Sequence, residues 1–540
     1  MGHGFDKTST WLALRNPAFR KLWLAMVISG SCVAAQNTAI YWALNTLGAT
    51  SVLISLMTTV SALPAALFTL PGGALADMVD RKQILLAVQL WQAAIAVSLA
   101  ILWGAHLMNP YLILTGAFLF SLGFAFSSPA SSAVIAEMVF AEELASAYTL
   151  SGLQLDVSGI IGSLLGGLLI SLAGVSVIFG ANGVGFLLML LAVLQWKRVR
   201  PQSNLPLETF FESLTTAIRY VRYTVGIKIL LARHALFSFF ISIIPALMPV
   251  VGLKVLHLEA SNLGYLFTAM ASGSVLSGAF ALPWARARYS PEQITAGANL
   301  VLLLDLILMM IVHQPYIFLG VAALGGAGWT ASASELWVAS QQAMPDWARG
   351  RMSATITMVA QGATALGGAL WGLAAQGFGI VPTFVGAVGF ALVLMVLVHV
   401  VPVLNLSIDF TTSVTFELAP LAPFLQNLAP SRLPAPQEGP ISIIAEFQVD
   451  PARRGECVGL MREARLIFLR IGAYRCHLYE DLHQPNVFRM EVVVSSWKQY
   501  RLQSERLTTN ERDVVDKLRG LHTGPNPPEK WISLSLDRRF

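Results

Sequence analysis

Gly73-Ala74-Leu75-Ala76-Asp77-Met78-Val79-Asp80-Arg81-Lys82 is a charged hinge set between two apolar runs, 51–72 and 83–106. Each run is long enough to cross a bilayer as a helix, which takes roughly 20 apolar residues. A turn that only fixed orientation would need bases alone, because cytoplasmic loops gather Lys and Arg. Orientation accounts for Arg81 and Lys82 but leaves Gly73 and Asp77 unexplained, so the hinge is read as a working part.

Composition agrees with a membrane protein. The 540 residues are 55% hydrophobic and only 12% charged, with a mean hydropathy of +0.64. A soluble domain carries about 25% charged residues. Apolar runs of spanning length recur roughly twelve times. Pro64, Pro129 and Pro245 fall inside them, which a bundle tolerates where neighbouring helices satisfy the freed backbone. Arg15, Arg20 and Lys21 lead into a full-length first run with no small-residue cleavage site, so no signal peptide is expected.

Charge placement orients the chain. Bases cluster before the first run and after the second, sixth, eighth and tenth, for example Arg81, Lys197, Arg286 and Arg349. Lys254 is the single Lys or Arg found in the opposite loops; the loop after the fourth run departs from the rule, with Glu142 and Glu143 and no base. Both termini are therefore expected in the cytoplasm. The net charge of +5 follows from the same bias and does not call for nucleic acid.

Two halves repeat. Gly166-Gly167 in the fifth run is matched by Gly367-Gly368 in the eleventh, a shift of 201 residues. The hinge at Gly73 has an echo at Gly278, a shift of 205, where Leu282, Arg286 and Arg288 keep the apolar and basic character but neither hinge acid survives. The expected plan is an all-α polytopic bundle: a six-helix half over 1–196, a linker over 197–226 and a second six-helix half over 227–405. In the linker, Leu207, Phe210, Phe211, Leu214, Ile218 and Val221 recur at helical spacing, as in an amphipathic helix lying on the membrane face.

The character changes after about 405. A Pro-rich linker over 406–440 leads to a domain of ordinary charge density over 441–540. Ile443, Ala445, Phe447 and Val449 alternate as in a strand, and so do Phe488, Met490, Val492 and Val494. Asp450-Pro451 starts a helix whose stripe includes Cys457, Met461, Ala464 and Phe468. The order β-α-β-β-α-β points to a small ferredoxin-like α+β sandwich.

The hinge resembles the signature between helices two and three of the major facilitator superfamily of secondary transporters, Gly-x-Leu-x-Asp-(Arg)-x-Gly-Arg-(Lys/Arg). Gly73, Leu75, Asp77, Arg81 and Lys82 match, whereas Asp80 stands for the second Gly and Met78 for the optional Arg. The stretch Met344-Pro345-Asp346-Trp347-Ala348-Arg349-Gly350-Arg351 resembles the loop before helix eleven in the transmembrane secretion effector branch, which is similar to enterobactin exporters. Residues 472–474, 479–481 and 491–497 look like the small α/β-barrel monooxygenase domain that some members append. The resemblance implies a twelve-helix fold with helices one, four, seven and ten lining the path, and a gating role for Gly73, Asp77, Arg81 and Lys82. In the fifth run, Ser158, Gly162, Ser163, Gly166 and Gly167 resemble the superfamily's antiporter feature, with Ser163 in place of its Pro. Small residues four apart also let helices approach closely, so Gly162, Gly166, Gly167, Gly367 and Gly368 are packing candidates.

Charge inside lipid is costly and marks function. Asp156, near mid-depth in the fifth run, and Glu335, in the inner half of the tenth, are the candidates for proton coupling. Asp305 in the ninth and Glu137 in the fourth are further buried acids. Gln36, Asn37, Ser127, Ser238, Ser242 and Gln361 are candidates for a substrate cavity, although single polar residues in a bundle commonly bond between helices.

No Walker loop occurs, and His477, Glu480 and His483 lack metal-ligand spacing. No cofactor, no metal and no enzymatic activity are expected. The reading is a multi-pass transporter of the bacterial inner membrane that exports a small organic molecule, siderophore-like or a lipophilic drug, by proton antiport. Its partners are the substrate, protons and the lipid bilayer, with a dimer formed through 441–540. The alternative is a non-transporting sensor whose membrane part anchors a ligand-binding or oligomerising module.

Overall fold

The computed structural model describes residues 11–196, 210–224, 226–400, 434–525 and 528–535. The Pro-rich linker lies largely outside them. Among the described residues, eleven helices are long and apolar enough to cross a membrane, beginning with Pro17–Thr46, Ser51–Gly73 and Arg81–Gly104 and ending with Trp347–Gly377. A shorter apolar helix, Ile380–Val396, follows. At 1.5 Å per residue, 30 residues reach about 45 Å, more than the roughly 30 Å of hydrocarbon.

Local chemistry sets where these helices begin. Asn16, Thr50 and Asn109 accept hydrogen bonds from the first turns of spans one, two and four. Ser290 forms a reciprocal capping box with Gln293 at span nine. Pro17, Pro110 and Pro291 occupy first helical positions, where the missing N–H is not needed. The eleventh span starts earlier than apolarity alone suggests. Its helix runs Asp346–Gly377, so Trp347 lies in the first turn rather than in a loop.

The chain divides into two compact units. The first takes in Met1–Phe210, Leu231–Val338 and Ala354–Leu404. Its largest core joins Leu44, Ile113 and Phe179 of the first half to Ile243, Leu306 and Phe384 of the second. Contact between the halves is dense toward the end opposite the charged loops. Tyr41 Oη donates to Pro245 O at 3.4 Å, its ring lies 5.4 Å from that of Phe267, and Thr59 Oγ1 donates to Ala365 O at 2.8 Å.

The second unit joins Phe211–Leu230 and Ala339–Ser353 to Asn405–Phe540. Four strands, β1 (Ile441–Gln448), β2 (Arg475–Glu480), β3 (Val487–Val494) and β4 (Lys530–Leu534), form an antiparallel sheet in the order β2-β3-β1-β4. That is the ferredoxin-like arrangement. Ala445, Phe447, Met490, Val492 and Cys476 pack with Cys457, Met461 and Ala464 of the helix Arg454–Ile471. The other face is polar and internally paired: Arg489 meets Glu446 at 2.7 Å and Asp481 at 3.0 Å, and Glu491 accepts from Ser442 and Tyr479.

The linker helix, Phe210–Tyr223, departs from the expectation of a plain membrane-surface element. Ile218 on the apolar stripe is exposed, but Tyr220 is fully buried and Tyr223 packs against the core of the C-terminal domain. Leu207 lies outside the described residues.

Candidate functional site

The hinge residues divide the work of ending one helix and starting another. Asp80, not Asp77, caps the third span: its carboxylate accepts from Lys82 N at 2.9 Å. Asp77 occupies the last turn of the second helix, and its side chain lies outside the described residues. Among the described residues, nothing stands within 4 Å of the position a Cβ on Gly73 would take. Lys82 Nζ donates to Leu194 O at 2.9 Å and Trp196 O at 2.7 Å, where a cation both satisfies orphan carbonyls and complements the helix dipole. Arg81 Nη1 meets Glu137 Oε1 at 2.8 Å, and its Nε donates to Ala76 O at 3.3 Å.

The second half carries an equivalent. Arg286 Nε lies 2.7 Å from Glu335 Oε1, and Arg286 Nη2 donates to Ser334 Oγ at 2.9 Å. An acid therefore does serve the second hinge; it comes from the tenth helix, about 50 residues along the chain, and so is invisible to a local reading. Glu335 is deeply buried yet ion-paired, which sets it apart from Asp156. Asp156 is half-buried and makes no hydrogen bond or ion pair among the described residues. Its neighbour Gln154 turns the other way, donating to Met26 O and to Ser158 Oγ. Asp305 is wholly buried against Gly325, and neither carboxyl oxygen has a partner among the described residues.

Among the described residues, no side-chain hydrogen bond joins the polar cavity candidates to one another. Gln36 is buried and accepts from Asn182 Nδ2 of the sixth span. Ser127 and Ser242 bond to carbonyls of their own helices, Phe124 O at 3.3 Å and Phe239 O at 2.6 Å. Ser238 is buried, Gln361 half-buried and Asn37 exposed. None of these three has a side-chain partner among the described residues.

The glycines sit at crossings. A Cβ on Gly166 would lie 2.7 Å from Ala35 Cα of span one, and one on Gly167 2.8 Å from Gly264 Cα of span eight. A Cβ on Gly367 would lie 2.7 Å from Phe239 O of span seven, and one on Gly368 3.0 Å from Thr58 Cβ of span two. Gly162 closes on Ser31 and Ala34 in the same way. In each Gly-Gly pair the first residue meets its own half and the second meets the other half.

Comparison with known proteins assigns the family and the fold. The family described as transmembrane secretion effector matches residues 8–539. The enterobactin exporter EntS of Shigella flexneri is 25% identical over 368 residues, 66% of this chain and 85% of that protein. Macrolide efflux protein A of Streptococcus pyogenes is 24% identical over 264 residues, 48% of this chain and 65% of that protein. Among solved structures, a bacterial homologue of the human lysosomal transporter Spinster, inward-facing and unoccupied, gives a TM-score of 0.58 at 15% identity, covering 70% of this chain and 96% of its own. A bacterial homologue of the iron transporter ferroportin, inward-facing, gives 0.56 at 16% identity, covering 70% and 98%. The chain is an integral multi-pass membrane protein, a secondary transporter of exporter type rather than an enzyme, and it belongs to the transmembrane secretion effector family of the major facilitator superfamily.

Proposed function

We propose that the chain exports a small organic molecule, siderophore-like or a lipophilic drug, across the bacterial inner membrane in exchange for protons, with both termini in the cytoplasm. The observation that carries the exchange cycle is the repeated ion pair, Arg81–Glu137 and Arg286–Glu335, one at the charged end of each half. Two similar halves that rock about a fixed site need matched fittings at the moving end. With the far end packed through Tyr41, Pro245, Thr59 and Ala365, the described arrangement is read as open toward the charged loops.

Asp156 is the favoured proton carrier. It is an intramembrane acid without a partner among the described residues, whereas Glu335 is held by Arg286 and is assigned to the gate. Gly73, Asp77 and Lys82 shape the hinge, and Asn37, Ser238 and Gln361 remain for the substrate path. The test is counterflow in proteoliposomes against a panel of siderophores and lipophilic drugs, with and without a pH gradient. The reading requires flux of at least one compound that runs uphill only with the gradient. A chain that moves none of them would restore the sensor alternative. The sheet face of 441–540 that bears Tyr479 and Trp531, both exposed, is assigned to pairing with a second copy, which the mass of the reconstituted particle tests.

A further inference from the structure

The second unit contains an arrangement that transport by the bundle does not itself require. Trp347, in the first turn of the eleventh helix, packs against Ile467, Ile471 and Leu507 of the C-terminal domain. The Arg506 guanidinium lies over its indole ring at 5.1 Å, and the Tyr220 ring stands edge-on to it, 5.6 Å away at 85°. Tyr220 comes from the linker helix that leads through Gly226 into the seventh span. Three segments distant in sequence thus close around one indole.

The docking is polar as well as apolar. The helix Arg454–Ile471 ends at Gly472, with φ of 132°, and the last carbonyls of a helix have no internal partner. Arg506 Nη1 donates to Ile471 O at 3.1 Å, and Arg219 Nη1, from the linker helix, donates to Gly472 O at 3.2 Å. A cation there also meets the negative end of the helix dipole. Partial burial holds the Arg219 and Arg470 guanidiniums below the usual arginine range. Arg470 is answered by an ion pair with Glu511. A surface built only to be soluble would not bury a guanidinium, that of Arg506, and the Tyr220 ring against another segment.

The two gripped segments begin the same helix pair. The seventh and eleventh spans meet where Trp371 Nε1 donates to Phe239 O at 3.1 Å. The first turn of one and the lead-in helix of the other are thus both held by the same domain. We propose that the end of the C-terminal domain formed by Ile467, Ile471, Arg506 and Leu507 is a docking surface for this chain's own span-seven and span-eleven starts, and that the docked domain biases the balance between the open and closed states of the bundle at its charged end. The proposal does not depend on which substrate or ion is carried.

The test uses the full chain in lipid nanodiscs, comparing the parent with Trp347→Ala and, as a milder change, Arg219→Gln. Hydrogen exchange over 215–223 and 467–474 should speed up by about tenfold when docking is lost, as expected where tertiary contacts protect helix ends. Spin labels at Tyr148→Cys and Tyr289→Cys, one per half at the charged end, on a Cys32→Ser background, should show the open-to-closed ratio shifted by about fivefold, the response of a two-state element that loses one biasing contact. Unchanged exchange in both variants would show that the domain is not docked in solution. Faster exchange with an unchanged ratio would show that docking is only structural. Either result overturns the proposal, and because Arg219→Gln removes a single hydrogen bond, a misfolded Trp347→Ala leaves the test intact.

Discussion

Arg286 Nε contacts Glu335 Oε1 at 2.7 Å, and the pair is the second copy of a contact already made in the first half, where Arg81 Nη1 meets Glu137 Oε1 at 2.8 Å. In each copy the arginine comes from the hinge after the half's second span and the acid from the half's fourth span. The acid is largely buried and the base partly exposed. Water therefore screens each pair on one side only, and its strength stays modest enough to be broken and remade during a cycle.

Glu137→Gln and Glu335→Gln should each loosen the charged end without unfolding the bundle. A partly exposed ion pair is worth about 1 kcal/mol, and that is roughly a fivefold change in an equilibrium. Each variant should change the rate of counterflow by about that factor while membrane insertion stays normal. Equal effects in the two variants would support matched roles; an effect confined to one half would reject the symmetric gate.

Gly167→Leu and Gly368→Leu should each abolish transport. Their side chains would enter space already held by Gly264 and Thr58 of the opposite half, and close-packed interfaces do not absorb four added carbons. Gly180→Leu is the control, since nothing lies within 4 Å of its Cβ position. Comparable losses in all three variants would mean that bilayer insertion, not the crossing, is what fails.

Asp156→Asn should preserve counterflow, which needs no driving force, and remove uphill transport. The amide keeps the size of the side chain and cannot carry the proton. Uphill movement that survives moves the coupling role elsewhere. Asp305, buried and unpartnered among the described residues, is then the next substitution to make.

The C-terminal domain should lose stability as pH rises through the alkaline range. Burial pushes the Cys457 thiol up to about 11 and the Cys476 thiol up to about 12. In the unfolded chain both ionise near 8.5. With folded values raised, the stabilisation is fully present below about pH 8.5 and is lost as pH climbs toward the folded values. Denaturant midpoints measured between pH 8 and pH 11 should fall, and Cys457→Ala/Cys476→Ala should flatten the slope. At neutral pH, iodoacetamide should reach these two thiols only after denaturation, read by peptide mass.

The spans, the two halves and the ferredoxin-like domain were all readable, because each rests on a period or a composition that one segment carries by itself. Ile441–Gln448 and Val487–Val494 show this: alternation placed Ala445, Phe447, Met490 and Val492 on one face, and they line the core there. The site was less readable, for a physical reason. Glu335 looked like a lone intramembrane acid until the fold brought Arg286 to it, and Gln36 looked like a cavity residue until Asn182 arrived from the sixth span. The motif at 344–351 was legible as a signature, but not its use, since Trp347 acquires partners from two other segments only once the chain has folded. The second hinge offered Arg286 and Arg288 but not the acid that pairs with Arg286, since Glu335 lies 49 residues further on, so its pairing was beyond a local pattern.

Lys82 has a consequence for the order in which the protein is made. Its ammonium bonds the carbonyls of Leu194 and Trp196, so the hinge that opens the third helix is fastened to the end of the sixth. Every residue in that fastening is translated before the first residue of the second half. Chains fold as units from the N-terminus during synthesis, and here the first half can seal its own charged end without any residue of its twin.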